Sequence, residues 1–391
     1  MRVVIFSDTY PPEVNGVATS TRNLYRTLKA HGDEVLVVTT NPYNQELAQD
    51  GDIVRVKGVK LKWLYDYRMA GIIHHGALKI ITEFKPDVAH IQTDFGVGQF
   101  GFLTVNRLQL PCVYTFHTMI EDYTYYVTKG HLDRAAKGVV RSYVRSKSRK
   151  VDEFITPSDK IKDYMRSIGV DAYLSVIPTG IDFGIFRPAN NDPKVVKELK
   201  NKYHLNDGSY IFLSIGRVAK EKSLDICLKG YAEFLKGKPQ RKTKFVIVGG
   251  GPALDELKLL TKELGIEKNV VFVGPVSPDD VHYYYQLGQC FLSASVTETQ
   301  GLTFMEAMAS GLVLLVRYDN ALLETIKDGS NGYFYLDEHD MANKLASVME
   351  LPEDKIKELR KQMDIAIEPY SLEKFYQNIH ATYQRAIRKN W

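Results

Sequence analysis

Short apolar runs alternate with segments of helical spacing along this chain, and the alternation restricts the possible folds more than any other feature. A first series comprises "RVVIF", "EVLVVTT", "PDVAHIQ", "PCVYTFH" and "EFITPS", with Leu24 and Leu28 at helical spacing between the first two. Strands separated by helices imply a parallel sheet covered on both faces. Around "IPTGIDFGIFRPANNDP", Ile177 to Pro193, glycine, proline and asparagine break the pattern, and the segment reads as a linker. A second series then begins: "YIFLSIG", "KFVIVGGG", "NVVFVG", "CFLSAS", "LVLLV" and "GYFYL". The fold class is therefore α/β, with two doubly wound Rossmann-like domains of similar size and a cleft between them. The expected boundaries are 1–180 and 181–370, with a helical segment at 371–391, for which Ser371 is the N-cap, crossing back onto the first domain.

Composition excludes several alternatives. At 391 residues, two domains are the default, and 44% hydrophobic with 25% charged residues is ordinary globular usage. Cys112, Cys227 and Cys290 lie far apart, with no CxxC or His/Cys cluster. Neither a zinc site nor a disulfide framework is supported, and a reducing cytosol fits. The start "MRVVIFSDTYPP" is not a signal peptide, because Asp8 follows a short apolar run. No window approaches the roughly 20 apolar residues that span a bilayer. The net charge of +4 is mild and does not indicate a nucleic-acid partner. Nothing fixes the oligomeric state.

In open α/β sheets, ligands bind beyond the carboxyl ends of the strands. Three unusual segments occupy such positions in the second series. "GRVAKEKS" places Arg217 and Lys222 on one loop, the pair of fixed cations that a diphosphate needs; a solvated basic loop is the alternative. "GGGP", Gly249 to Pro252, lets backbone approach a ligand around Gly250, but it lacks the spacing of a dinucleotide site. "TETQGLTFMEAMASG" carries Glu298 and Glu306 around a glycine turn. If a helix begins near Leu302, its first amides are free donors. Eight helical residues span about 12 Å. A hydrolytic carboxylate pair needs about 5–9.5 Å, so two contacts on one extended ligand is the better reading, with helix-start charge as the alternative. In the first series, Asn15-Gly16 in "TYPPEVNGVATS" heads a helix, and His117 ends a strand. A structural histidine is the alternative there.

These segments together carry a resemblance. "ETQGLTFMEAMASG" is similar to the two-glutamate signature of retaining glycosyltransferase family 4, "GRVAKEKS" resembles that family's phosphate site, and "PPEVNGV" resembles its N-terminal glycine loop. The elements occur in the family's order and cover nearly the whole chain. The resemblance implies a GT-B fold, a UDP-sugar donor and no metal or other cofactor. Carried over by position, Arg217 and Lys222 would hold the diphosphate, and Glu306 the ribose. Glu298 and the amides of Gln300, Gly301 and Leu302 would hold the hexose. His117 would contact the hexose near the reacting carbon, and Gly16 would approach the diphosphate. Pro275 and Val276 would lie near the base. One departure, Val313 where the family often has proline, has no evident effect on the chemistry.

A narrower resemblance lies in "VYTFHTMIEDYTYYV", which is similar to bacterial diacylglycerol α-glucosyltransferases and would put Asp122 and the following tyrosines on the acceptor side. It implies transfer of glucose from UDP-glucose to a lipid hydroxyl with retention. "HLDRAAKGVVRSYVRSKSRK" reads as a helix with Arg134, Lys137, Arg141, Arg145 and Arg149 on one face. Leu132, Ala136, Val139, Val140 and Tyr143 fall on the other. An anionic membrane surface would meet the basic face, and Trp63 and the tyrosines of "VKLKWLYDYRM" would sit at headgroup level. The enzyme is then cytoplasmic and peripheral on the inner face of the membrane. A packed helix with a merely solvated basic face is the alternative. "DGD" at Asp50 to Asp52 could hold a metal diphosphate, but reads better as a turn. The rival functions are a GT-B epimerase or phosphorylase, a transferase acting on a glycosyl-diacylglycerol, soluble sugar or protein, and a non-catalytic partner subunit.

Overall fold

The computed structural model describes all residues except 14, 44–45, 62–66, 118–132, 297–299 and 391, and leaves aside the side chains of 60, 61, 67, 133–137, 139, 140 and 321. The chain forms two compact units, Met1–Gly180 with Leu372–Trp391, and Ile181–Ser371.

The first unit is built on an eight-stranded sheet. Its strands are β1 (Arg2–Ser7), β2 (Glu34–Thr40), β3 (Ala48–Asp50), β4 (Ile53–Val56), β7 (Val88–Ile91), β8 (Cys112–Thr115), β9 (Glu153–Thr156) and β10 (Leu174–Val176). A separate antiparallel hairpin joins β5 (Gly58–Leu61) to β6 (Tyr67–Ala70). The sheet order is β10-β9-β8-β7-β1-β2-β4-β3, parallel throughout except for β3 against β4. The "DGD" is the turn of that β3–β4 hairpin, with Asp52 salt-bridged to Lys29 at 2.9 Å.

Successive residues of a strand face opposite sides of its sheet, so a run like "VVIF" must be covered twice. Val4 and Phe6 pack with Ala77, Ile81, Val97, Phe100, Ile161 and Met165 from three helices on one side. Val3 and Ile5 pack on the other with Leu24 and Leu28 of helix Gly16–Ala30, and with Phe375, Ile379, Tyr383 and Ala386 of helix Leu372–Lys389. The latter helix is also held by charge. Buried Glu153 accepts from Arg385 at 3.0 and 3.2 Å and from Lys389 at 2.8 Å. Burying a carboxylate is costly unless it is paired, and both partners come from this one helix.

The second unit holds a parallel six-stranded sheet in the order β13-β12-β11-β14-β15-β16. The strands are β11 (Tyr210–Ile215), β12 (Thr243–Val248), β13 (Val270–Gly274), β14 (Cys290–Ser293), β15 (Val313–Arg317) and β16 (Tyr333–Tyr335). The segment read as a linker is largely ordered structure: Ile181 and Phe186 are core residues, and Asp182 caps the short helix Phe183–Phe186. All three cysteines are free and buried. Among the described residues no helix is long and apolar enough to cross a membrane.

Candidate active site

The strand orders locate a crevice in each sheet. In the second unit the chain leaves β11 towards β12 and β13 on one side, and β14 towards β15 and β16 on the other. Loops leaving β11 and β14 therefore diverge, which is the topological condition for a ligand site. "GRVAKEKS" is the loop after β11. Arg217 is half-buried with Glu221 at 3.8 Å, and half-buried Lys222 ends the turn Lys220–Lys222 that leads to helix Leu224–Lys236.

The glycines after β12 have a structural reason that the sequence did not reveal. Gly249 has φ +138°, and a Cβ there would come within 1.8 Å of the Gly216 carbonyl oxygen. The Gly250 carbonyl accepts from the Val218 amide at 2.9 Å, so the glycine loop is fastened to the cationic loop. Gly250 itself lies against Pro275. Beyond β13, Pro275 is exposed and Val276 half-buried.

The loop after β14 ends in Gly301, whose φ of +76° suits glycine and places it as the cap of helix Leu302–Ala309. Gly301 has no side chain with which to cap this helix; the Phe304 amide bonds to the Gly301 carbonyl at 3.0 Å, and the amides of Leu302 and Thr303 lead the helix. Gln300, half-buried, stands just before it. Glu306 lies one turn in, half-buried, and accepts the Tyr285 hydroxyl at 2.6 Å. Burial pushes its carboxyl up to about 7, and the Tyr285 hydrogen bond offsets part of that rise. Glu298 lies outside the described residues, as do Trp63, Asp122 and Leu132.

In the first unit the divergence falls between β1 and β7. Asn15 caps helix Gly16–Ala30, accepting from the Ala18 amide at 2.9 Å and donating to Thr9 Oγ1 at 2.8 Å. Gly16 is exposed, and a Cβ there would meet nothing within 4 Å, so packing does not require a glycine. Asp8 accepts from the Val97 and Phe95 amides at 2.8 and 3.2 Å, placing a carboxylate at the start of helix Gly96–Leu108. Beside it, burial raises the Asp94 carboxyl to about 6, with the Tyr114 hydroxyl donating to it.

His117 follows β8, half-buried, with Nε2 at 2.5 Å from Gln92 Oε1. Burial pushes its imidazole down to about 4, so the ring is neutral at pH 7. Gln92, His90, Asp94 and Tyr285 were not singled out in the sequence. The first three lie in "VAHIQTD", at the end of a strand, a position that could have drawn attention to them. Among the described residues no cluster of His, Cys, Asp and Glu is arranged to hold a metal.

Each of the two α/β units thus carries polar loops at a topological switch point, where open α/β sheets hold ligands, and the second unit adds two cations on the loop leaving β11. The model of Glycosyltransferase Family 4 matches residues 14–184, and that of Glycosyl transferases group 1 matches residues 195–368. The chain is 34% identical over 390 residues to an alpha-monoglucosyldiacylglycerol synthase of Streptococcus pneumoniae, covering 100% of this chain and 87% of that one. It is 33% identical over 395 residues to the enzyme of the same name from Acholeplasma laidlawii, covering 100% and 98%. Anabaena HepE in complex with UDP-glucose superimposes with a TM-score of 0.75 at 17% identity, covering 98% of this chain and 99% of HepE. Sucrose-phosphate synthase from Thermosynechococcus elongatus gives a TM-score of 0.76 at 16% identity, over 99% of both chains. The chain belongs to glycosyltransferase family 4 and has the GT-B fold.

Proposed function

We propose that the protein transfers glucose from UDP-glucose to the free hydroxyl of 1,2-diacylglycerol with retention, giving an α-glucosyl lipid. The observation that carries this reading is full-length identity of 34% and 33% with two alpha-monoglucosyldiacylglycerol synthases. Arg217 and Lys222 hold the diphosphate and balance the charge that grows on it as the glycosidic bond breaks, an electrostatic contribution typical of enzymes. No metal or other cofactor is required. Glu306 accepts the ribose hydroxyls, and Val276 borders the base. Glu298 and the amides of Gln300, Gly301 and Leu302 hold the hexose, with Gly250 near the donor. His117 contacts the sugar near its reacting carbon, and Gly16 leaves space for the diphosphate. The acceptor oxygen bonds to that carbon on the face the phosphate leaves, and the acceptor proton passes to the departing phosphate. Purified enzyme given diacylglycerol and a panel of UDP-sugars should make one lipid product, read by mass spectrometry, with an α-linkage by NMR. A β-linkage overturns retention, and a product only from a water-soluble acceptor overturns the lipid reading.

The acceptor lies in a bilayer, and helix Asp133–Ser148 supplies a surface suited to meeting it. Tyr143, Val144, Lys147 and Ser148 face the domain, with the Lys147 ammonium 3.9 Å from the Phe102 ring centroid. Arg141 and Arg145 are exposed, and so is Arg149 just beyond the helix. The side chains of Arg134, Ala136, Lys137, Val139 and Val140 lie outside the described residues. Each cation near an anionic leaflet contributes about 1 kcal/mol of attraction, lost beyond a Debye length. Replacing Arg134, Arg141 and Arg145 with glutamate should abolish co-sedimentation with anionic vesicles at low salt and leave UDP binding intact. Unchanged, salt-insensitive sedimentation of the triple variant would remove this helix as the docking surface.

A further inference from the structure

A buried chain of polar side chains runs inward from His117. His117 Nε2 is hydrogen-bonded to Gln92 Oε1 at 2.5 Å. The other end of the same amide, Gln92 Nε2, lies 2.9 Å from His90 Nε2. Thr115 Oγ1 approaches that nitrogen at 2.7 Å, and the opposite ring nitrogen, His90 Nδ1, lies 2.7 Å from the Tyr383 hydroxyl. Gln92, His90, Thr115 and Tyr383 are all buried, and the His90 and Tyr383 rings meet edge-on at 5.5 Å.

An amide has one accepting and one donating end, so this geometry has a direction. With the amide oriented as in the structure, its oxygen accepts a proton held on His117 Nε2. Its nitrogen donates to His90 Nε2, which must then be bare, and the Thr115 hydroxyl donates to the same lone pair. The His90 proton sits on Nδ1 and is donated to Tyr383. His117 Nδ1 is then the ring's unprotonated nitrogen. A buried, connected network of this kind holds the His117 ring in place; turning the Gln92 amide over would reverse every donor and acceptor together and move the His117 proton to Nδ1, so the tautomer tells the two arrangements apart.

We propose that Gln92, His90 and Tyr383 are positioning residues that hold His117 in one orientation with its proton on Nε2, so that the ring meets the transferred sugar as a hydrogen-bond acceptor through Nδ1. The proposal rests on the reading that His117 contacts that sugar. It gives helix Leu372–Lys389 a role in chemistry: this helix carries the last member of the chain, 293 residues from His90. A sugar hydroxyl donating to Nδ1 is oriented by a ring that cannot turn away.

The test combines kinetics with the ring's own signals. In protein labelled with ¹⁵N-histidine, the resonances lost in His117→Ala identify the ring, and its long-range ¹H–¹⁵N pattern should be that of a neutral ring protonated on Nε2. Tyr383→Phe removes one oxygen and keeps the packed ring; Gln92→Met keeps the side-chain length and removes both hydrogen-bonding ends. Each should lower kcat by about 10- to 100-fold, as expected for a misplaced contact, with KM for UDP-glucose within about twofold. Each should also broaden or shift the His117 pattern. Added to His117→Ala, neither should lower kcat further, because both act through that ring. Should Gln92→Met fail to fold, Tyr383→Phe alone decides. A proton found on Nδ1 overturns the proposal, as does undiminished kcat in both variants while His117→Ala is inactive. Full turnover in His117→Ala overturns instead the reading that this ring contacts the sugar, while the NMR pattern still reports its tautomer.

Discussion

Arg217→Ala and Lys222→Ala should each reduce turnover on the order of 10²–10³-fold at saturating UDP-glucose, with the protein still folded. Two observations make the expectation specific. Both side chains stand on the loop leaving β11, on one flank of the divergence with β14. Both are half-buried, so water screens them incompletely. The diphosphate is already anionic in UDP-glucose, but further charge accumulates on it as the sugar departs, and stabilising that added charge acts on kcat. The fold should tolerate both changes. The ion pair of Arg217 with Glu221, at 3.8 Å, is long and solvent-accessible, and pairs of that kind add little stability. Circular dichroism and a thermal melt check folding, and steady-state kinetics checks the rest. Near-normal kcat in both variants would remove the phosphate role from this loop.

Glu306→Gln should weaken donor binding and stabilise the free enzyme at alkaline pH. The free carboxyl is raised from 4.5 to about 7 by burial. Between those values the folded chain holds a proton that the unfolded chain has released, so stability falls as pH rises through the interval and stays lower above it. A shift of this size corresponds to roughly 3 kcal/mol. Glutamine is neutral at every pH, so the variant should melt several degrees higher than the wild type at pH 8, and the gain should vanish near pH 4. The ribose hydroxyls donate to an ionised carboxylate, so the wild-type KM for UDP-glucose should rise as pH falls through about 7. In the variant that dependence should be flat, and KM should be raised by about 10- to 100-fold, since a hydrogen bond to a charged group contributes about 1.5–3 kcal/mol. The rate constant should change little, because the ribose is untouched by the reaction. Glu298→Gln should show the converse, a lower kcat with KM maintained. The opposite assignment of effects would mean that the two glutamates exchange roles.

The parts of the fold legible in the sequence were those whose chemistry is local. Strands β1, β2, β7, β11, β12 and β14 are short runs of apolar residues buried on both faces, and their composition alone marks them. β3, β4, β10 and the β5–β6 hairpin are three or four residues long, and β3 is exposed throughout, so no apolar pattern announced them. The helix start at Leu302 was legible because Gly301 supplies the left-handed turn before it. The glycines at 249–251 were seen for what they are but not for why: the carbonyl that requires Gly249 belongs to Gly216, which only the folded sheet brings near. Glu306 was found from its position, whereas Tyr285, which tunes it from 21 residues upstream, was not. The partners of His117 were hidden for the same reason. A histidine and a tyrosine 293 residues apart form no pattern until topology joins them.

The return of helix Leu372–Lys389 to the first unit makes the second unit, Ile181–Ser371, an insertion within the first. During synthesis the ribosome therefore completes the inserted unit before it emits the residues that finish the host. Until then one face of the first sheet, where Val3, Ile5, Val37, Val88 and Val113 await Phe375, Ile379 and Tyr383, has no cover from that helix. Units of this size ordinarily mature in the order in which they are made. Here the order is inverted: the unit begun first is completed last, and the hydroxyl that ends the polar chain behind His117 arrives only with its final helix.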